Sequence, residues 1–341
     1  MKRSSAIVLR FVASTCLALG VTADAVGQGL LTCPTATTLD LLATCIRNQM
    51  PNPNRTGTNL YVPPTAAEQV NFSTVVTQMM NGACNFALPA SLEANYQIST
   101  FTDSLSTKSY CLLMEVLDAD FDGVVDKGWG TFIVNNEATR RNLNQSAPHP
   151  IFDSTTENQA INIFQDTDSR SYLMCGAHRH TNGLTGGTCE SNYGEADCAH
   201  QVDGMFHAAV VALDQYYAST PWTHIQWHGK GSTTCPLLDV YGSQGFDAEQ
   251  PPDSNVVSLR DLMAINQPGY KFGLTGTIPA CNLNATDNVQ GRHLNGATDI
   301  CLANTGGTPT NKFVHLEQSG AIRSGGAEIW NLSVGQNWSI P

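Results

Sequence analysis

The 341-residue chain is poor in charge: 13% of its residues are Asp, Glu, Lys or Arg, and 17 Lys and Arg face 29 Asp and Glu, for a formal net charge of −12. So few cations argue against a nucleic-acid partner, because a phosphate backbone is met by clustered Lys and Arg. No segment approaches 18 consecutive apolar residues, so none reads as a span that stays in a bilayer. There is no Cys-x-x-Cys, which weighs against metal-thiolate chemistry. Gly242-Ser-Gln-Gly falls short of a Gly-x-Ser-x-Gly elbow, which leaves a serine hydrolase weakly supported. Internal repeats and low-complexity runs are absent too. With 41% hydrophobic residues the chain nevertheless has ample material for a core, which speaks against disorder.

Cysteine, by contrast, is plentiful, with 11 in the chain. Lys2 and Arg3 precede an apolar run from Phe11 to Val21, and Ala23 and Ala25 follow it, the pattern of a secretory signal over residues 1–25. Its removal takes Cys16 away and leaves an even set: Cys33, Cys45, Cys84, Cys111, Cys175, Cys189, Cys198, Cys235, Cys281 and Cys301. An even set in an exported chain reads as disulfides of a secreted, periplasmic or extracellular protein, free of the membrane once the signal is gone. Six Asn-x-Ser/Thr sequons, at Asn54, Asn71, Asn144, Asn284, Asn331 and Asn337, suit an exported surface.

Two regions follow the signal. Over 26–128, Thr38–Ile46 places apolar residues at i, i+3, i+4 and i+7, and Ala66–Met80 repeats the pattern, so this stretch is expected to be a helical cap or subdomain. Over 129–341, strand-like runs at Gly130–Asn135, Ser171–Ala177, Trp222–His228 and Lys312–Glu317 alternate with helical ones at Glu157–Gln165 and Asp203–Tyr217. Such alternation indicates an α/β fold, a mostly parallel or mixed sheet flanked by helices. Ligands of such sheets sit beyond the carboxyl ends of the strands.

Polar residues cluster there. His149, Asp153 and Glu157 form one cluster, and His178, Arg179, His180 and Asn182 a second; His228 and Glu317 end later strands. Two imidazoles and two carboxylates suit metal-assisted hydrolysis: three ligands on zinc leave a position for an acidified water, and a carboxylate off the metal moves the proton. A nearby Arg polarises a carbonyl or grips a carboxylate. His200 and His207, seven apart, are expected to pack a helix, and His224 to mark the solvent or opposite face of its strand. Arg292 and His293 fall in a Gly/Asn-rich loop that could wall a substrate site, and Gly306-Gly307 reads as a turn.

The order of these clusters resembles the zinc carboxypeptidase superfamily, nearest its N-formylglutamate amidohydrolase and aspartoacylase-like branches. Pro148-His149 with Glu157 is similar to the first ligand motif, Ser169–Arg179 to the Arg-bearing strand, Ile225-Gln-Trp-His228-Gly to the second His motif, and Val314-His-Leu-Glu317 to the strand bearing the base. The resemblance implies zinc on His149, Glu157 and His228, with Asp153 an alternative ligand. It implies Glu317, Arg179 and His178 as catalytic residues, and Arg179, His180 and Arg292 at the substrate. Two departures stand out: Phe152 occupies the acid's usual place after His149, and Gln226 replaces the carboxylate that orients the second His.

A separate loop, Leu117–Asp126, carries Asp118, Asp120, Asp122 and Asp126 around Gly123, an alternation suited to structural calcium. Trp129 stands at the twelfth position, so the loop is no complete EF-hand. Three readings remain: a secreted zinc hydrolase of amide or peptide-like bonds in a small-molecule or peptide-like substrate, a metal-dependent esterase or phosphoesterase with the same site, and a calcium-stabilised binding protein.

Overall fold

The computed structural model describes residues 29–54, 60–278, 281–302 and 308–341; the expected signal segment and the Gly306-Gly307 turn lie outside them. A nine-stranded sheet runs through the molecule in the order β1 (Tyr96–Thr102), β2 (Ser109–Glu115), β3 (Thr131–Asn135), β5 (Ser169–Met174), β4 (Arg141–Ala147), β6 (Thr223–Gly229), β9 (Phe313–Gln318), β7 (Val240–Ser243) and β8 (Phe272–Leu274). Strands β5, β4, β6 and β9 are parallel. On one side β3, β2 and β1 continue antiparallel; on the other β7 reverses against β9, and β8 runs parallel to β7. The α/β class with a mixed sheet is therefore the fold observed.

Period-two alternation divides the core into two layers. Leu112 and Met114 of β2, Ile133 of β3, and Ile225 and Trp227 of β6 face one layer, with Val314 and Leu316 of β9. That layer packs under α1 (Leu39–Asn48), α4 (Thr156–Asp166), α6 (Asn255–Asn266) and α9 (Glu328–Asn337). Cys111, Leu113, Phe132, Val134 and Phe313 face the other layer, under α2 (Ala66–Met80) and α5 (Met205–Tyr216). Short helices α3 (Ala90–Glu93), α7 (Val289–Leu294) and α8 (Gly320–Ser324) complete the chain. Local chemistry sets the helix starts: Thr38 Oγ1 accepts from Leu41 N ahead of α1, and Thr65 with Glu68 forms a capping box ahead of α2.

The stretch expected to be a helical cap is helical only in part. Residues 96–115 form β1 and β2, and β2 pairs with β3, so the sheet crosses the boundary expected at 128/129. Its residues from Tyr110 to Glu115 are all buried, so the strand reads as a continuous apolar run rather than an alternating one. The ten cysteines pair as Cys33–Cys45, Cys84–Cys111, Cys175–Cys198, Cys189–Cys301 and Cys235–Cys281. Among the sequons, Asn144 is fully buried in β4 and bonded to Ser171 Oγ, a position closed to a glycan. No helix among the described residues is long and apolar enough to cross a membrane.

Candidate metal centre

Strand β4 ends at Ala147 and delivers His149 between two prolines at the carboxyl edge of the sheet. The chain then turns back sharply: Phe152 N donates to Pro150 O at 2.8 Å across Ile151, which sits at φ 70°. A left-handed β-branched residue costs on the order of 1–3 kcal/mol and persists where the surroundings impose it. The turn carries Asp153 back beneath His149, four residues on, with Asp153 N donating to His149 O at 2.9 Å.

His228, near the end of β6, completes a triangle of ligand atoms. His149 Nδ1 lies 3.2 Å from Asp153 Oδ2 and 3.1 Å from His228 Nδ1, and His228 Nδ1 lies 3.3 Å from Asp153 Oδ2. All three side chains are buried. A tetrahedral ion with bonds of about 2.0–2.1 Å holds its ligand atoms roughly 3.3 Å apart, so this N, N, O set matches a zinc site in spacing and donor chemistry.

The outer nitrogens of both imidazoles are anchored. His149 Nε2 donates to Asp197 Oδ1 at 2.8 Å, and His228 Nε2 to Gln226 Oε1 at 3.1 Å. Each bond fixes a tautomer whose lone pair, on Nδ1, faces the centre of the triangle. Asp197 is buried; it also takes His200 Nδ1 at 2.8 Å and Arg179 Nη2 at 2.5 Å. Burial pushes its carboxyl up, but His200 and His149 outweigh that and hold it well below the usual carboxylate range.

Gln226 does the work expected of a carboxylate with an amide. Its oxygen also accepts from Asn288 Nδ2 at 2.6 Å, while its Nε2 donates to Gln290 Oε1 at 3.0 Å and to His224 Nε2 at 3.2 Å. His224 Nδ1 in turn donates to Asn144 Oδ1 at 2.7 Å. His224 is thus fully buried on the same strand face as Gln226 and His228, not on the solvent or opposite face.

Parallel pairing sets His228 opposite Glu317 and Gln226 opposite His315 across β6 and β9. Glu317 borders the cavity at 14% exposure, and burial, reinforced by the charge of Asp153, pushes its carboxyl up to about 8. His315 Nε2 is 3.6 Å from Glu317 Oε1, and its ring lies 4.4 Å from that of His228. The cavity over the triangle measures about 330 Å³ and is walled by Arg179, Tyr193, His200, Glu317 and the 282–288 loop.

The expected site residues divide accordingly. His149, His228, Asp153, Arg179 and Glu317 come together. Glu157 does not: in the first turn of α4 its Oε1 meets Arg47 Nη1 at 3.1 Å, and the left-handed turn at Ile151 places Asp153, not Glu157, beside the imidazoles. His178 and His180 lie outside the cavity walls, packed edge-on against Phe152 at ring distances of 5.5 and 4.8 Å. Arg292 is on helix α7 rather than a loop, and its guanidinium is turned to Glu190, to Asp287 at 3.3 Å and to Thr286 O at 2.7 Å, holding the cavity wall from behind. His200, expected to pack a helix with His207, precedes α5 and faces the cavity. In the acidic loop, Asp118, Asp120 and Asp122 gather their oxygens, whereas Asp126 turns to Ala119 N at 3.1 Å. Asp197, His200 and His315 carry site geometry that spacing along the chain did not reveal, and Gln226 fills the orienting place that the resemblance left without a carboxylate.

No protein-family model matches the chain, and no curated protein matches it. Solved structures give loose likenesses. Succinylglutamate desuccinylase from Vibrio parahaemolyticus aligns with a TM-score of 0.39 at 9% identity, over 78% of this chain and 80% of that one. A gene product of Agrobacterium tumefaciens aligns at 0.36 and 10%, over 60% and 89%. A candidate carboxypeptidase A from Shewanella denitrificans aligns at 0.35 and 11%, over 82% and 71%.

Proposed function

We propose that the protein is an exported zinc-dependent hydrolase that cleaves an amide or peptide-like bond. The observation that carries this reading is the buried triangle of His149 Nδ1, Asp153 Oδ2 and His228 Nδ1 beside a half-buried carboxyl, Glu317, on the wall of one cavity. The five disulfides suit the oxidising compartment that export implies.

His149, Asp153 and His228 would hold the ion. Zinc bound there supplies a Lewis acid for a carbonyl oxygen and makes water acidic at neutral pH. The chain's own groups do the rest. Asp197 and Gln226 keep both imidazoles in the ligating tautomer. Arg179 has one arm tied to Asp197, and its Nη1 sits 3.2 Å from His149 Nδ1 at the edge of the triangle, where with an ion bound it would be free to donate to a carbonyl oxygen beside that ion. Glu317, raised by burial, moves down toward the neutral range beside a divalent cation, where it can take a proton from water and pass it to the departing nitrogen.

The test is Glu317→Gln in zinc-loaded protein against N-acyl amino acids and small peptides. Turnover falls by about 10²–10⁴-fold with zinc content unchanged; full activity in the variant removes Glu317 from the reaction.

A further inference from the structure

His200 is held from several sides although it stands outside the triangle. Its Nδ1 donates to Asp197 Oδ1 at 2.8 Å. Its ring lies flat on Tyr193, with centroids 3.5 Å apart and planes within 6°. Tyr193 is fixed at its far end, where its hydroxyl donates to Asp287 Oδ2 at 3.2 Å. The same ring runs nearly parallel to that of His149, 6.1 Å away at 15°. Because Nδ1 carries the proton for Asp197, Nε2 of a neutral His200 carries a lone pair. That nitrogen is on the side of the ring away from Asp197, and His200 lines the cavity together with Arg179 and Glu317.

The walls thus offer complementary partners. Arg179 is a donor suited to a carbonyl oxygen, whereas His200 Nε2 is an acceptor, suited to a group that brings its own hydrogen. A secondary amide has both halves; an ester has only the oxygen. We propose that His200 is a specificity-determining substrate contact that accepts the N–H of a secondary amide, which makes amides the preferred substrate class over esters. This inference rests on the hydrolase reading and deepens it. An unpaired acceptor in a walled site penalises the ligand that lacks the donor, by about tenfold for one net hydrogen bond.

Two small probes isolate the N–H: acetohydroxamic acid and its N-methyl analogue, titrated calorimetrically into the zinc-loaded full-length protein. Wild type is expected to bind the N–H compound at least about tenfold more tightly. In His200→Phe and His200→Leu, neither of which has an acceptor, the ratio falls to about the value that the methyl group's bulk alone sets. His200→Gln, whose amide oxygen can accept, recovers part of the preference, and zinc content stays at the wild-type level in every variant. Equal affinities in wild type, or an undiminished ratio in both acceptor-free variants, overturns the assignment and leaves the hydrolase reading standing. Zinc-loaded wild type that binds neither probe overturns the hydrolase reading, and this assignment with it.

Discussion

Replacing Gln226 by Glu exchanges an amide NH2 for an oxygen at a fully buried position. The amide nitrogen makes two bonds, to Gln290 Oε1 at 3.0 Å and to His224 Nε2 at 3.2 Å. In Gln226→Glu an oxygen faces Gln290 Oε1, and a carboxylate faces the lone pair of His224. Gln290 could turn its amide, but only by giving up its bond to Cys198 O at 2.9 Å. His224 could present a proton, but only by leaving Asn144 Oδ1 or by charging in a dry site. Each of the two frustrated contacts costs about 1–3 kcal/mol, so the metal-free variant should lose about 2–6 kcal/mol of unfolding free energy. Zinc binding should change in the opposite sense, because a carboxylate behind His228 Nε2 makes its Nδ1 a stronger ligand. Gln226→Leu keeps the volume and removes both effects of the polar head, so it should weaken zinc about 10–100-fold. Urea unfolding of chelator-treated protein with disulfides intact gives the first quantity, and zinc competition against a chromophoric chelator gives the second. Wild-type zinc affinity in Gln226→Leu would refute the reasoning, since it would mean that nothing behind His228 matters to the metal.

Two further outcomes follow from groups away from the triangle. Asp103 ties the β1–β2 turn to helix α1, accepting from Leu39 N at 2.8 Å and Ser106 N at 2.7 Å. Burial pushes its carboxyl up, but the donors of Ser106 and Leu39 outweigh it and hold it below the usual range. A depressed folded value means stability that is present above the unfolded value of about 3.9 and lost as pH falls through the lower one, so the acid-unfolding profile of Asp103→Asn should be flatter below about pH 4. Arg292→Ala leaves the half-buried Glu190 carboxylate and the Thr286 carbonyl without their partner, costing about 1–3 kcal/mol in urea unfolding, and Arg292→Lys, which lacks the planar fork, should recover little.

The sheet was legible where side chains announce it. Strands β5, β6 and β9 and helices α4 and α5 all fall on stretches whose apolar pattern the sequence displays. Strand β4 was not, although it delivers His149: its buried residues include Asn144, Gln145 and Ser146, which are satisfied by partners 24 to 82 residues distant and look, along the chain, like a loop. His149, His228 and Glu317 could be read from their places at strand ends. The acid could not be chosen, because the choice between Asp153 and Glu157 depends on two left-handed residues, Ile151 and Thr155, that spacing does not disclose. Asp197 and His200 were hidden for a different reason. They sit in a turn-rich segment brought to the site by the Cys175–Cys198 disulfide, and a pairing is a property of the folded chain.

Zinc stoichiometry across four proteins addresses the centre most directly: wild type, His228→Ala, Asp153→Ala and Glu157→Gln, each refolded or purified with zinc and dialysed before elemental analysis. The geometry predicts about one zinc per chain in wild type and in Glu157→Gln, whose carboxylate faces Arg47, and loss of the metal in His228→Ala and Asp153→Ala. Full occupancy in His228→Ala, or loss in Glu157→Gln with Asp153→Ala unaffected, would contradict it.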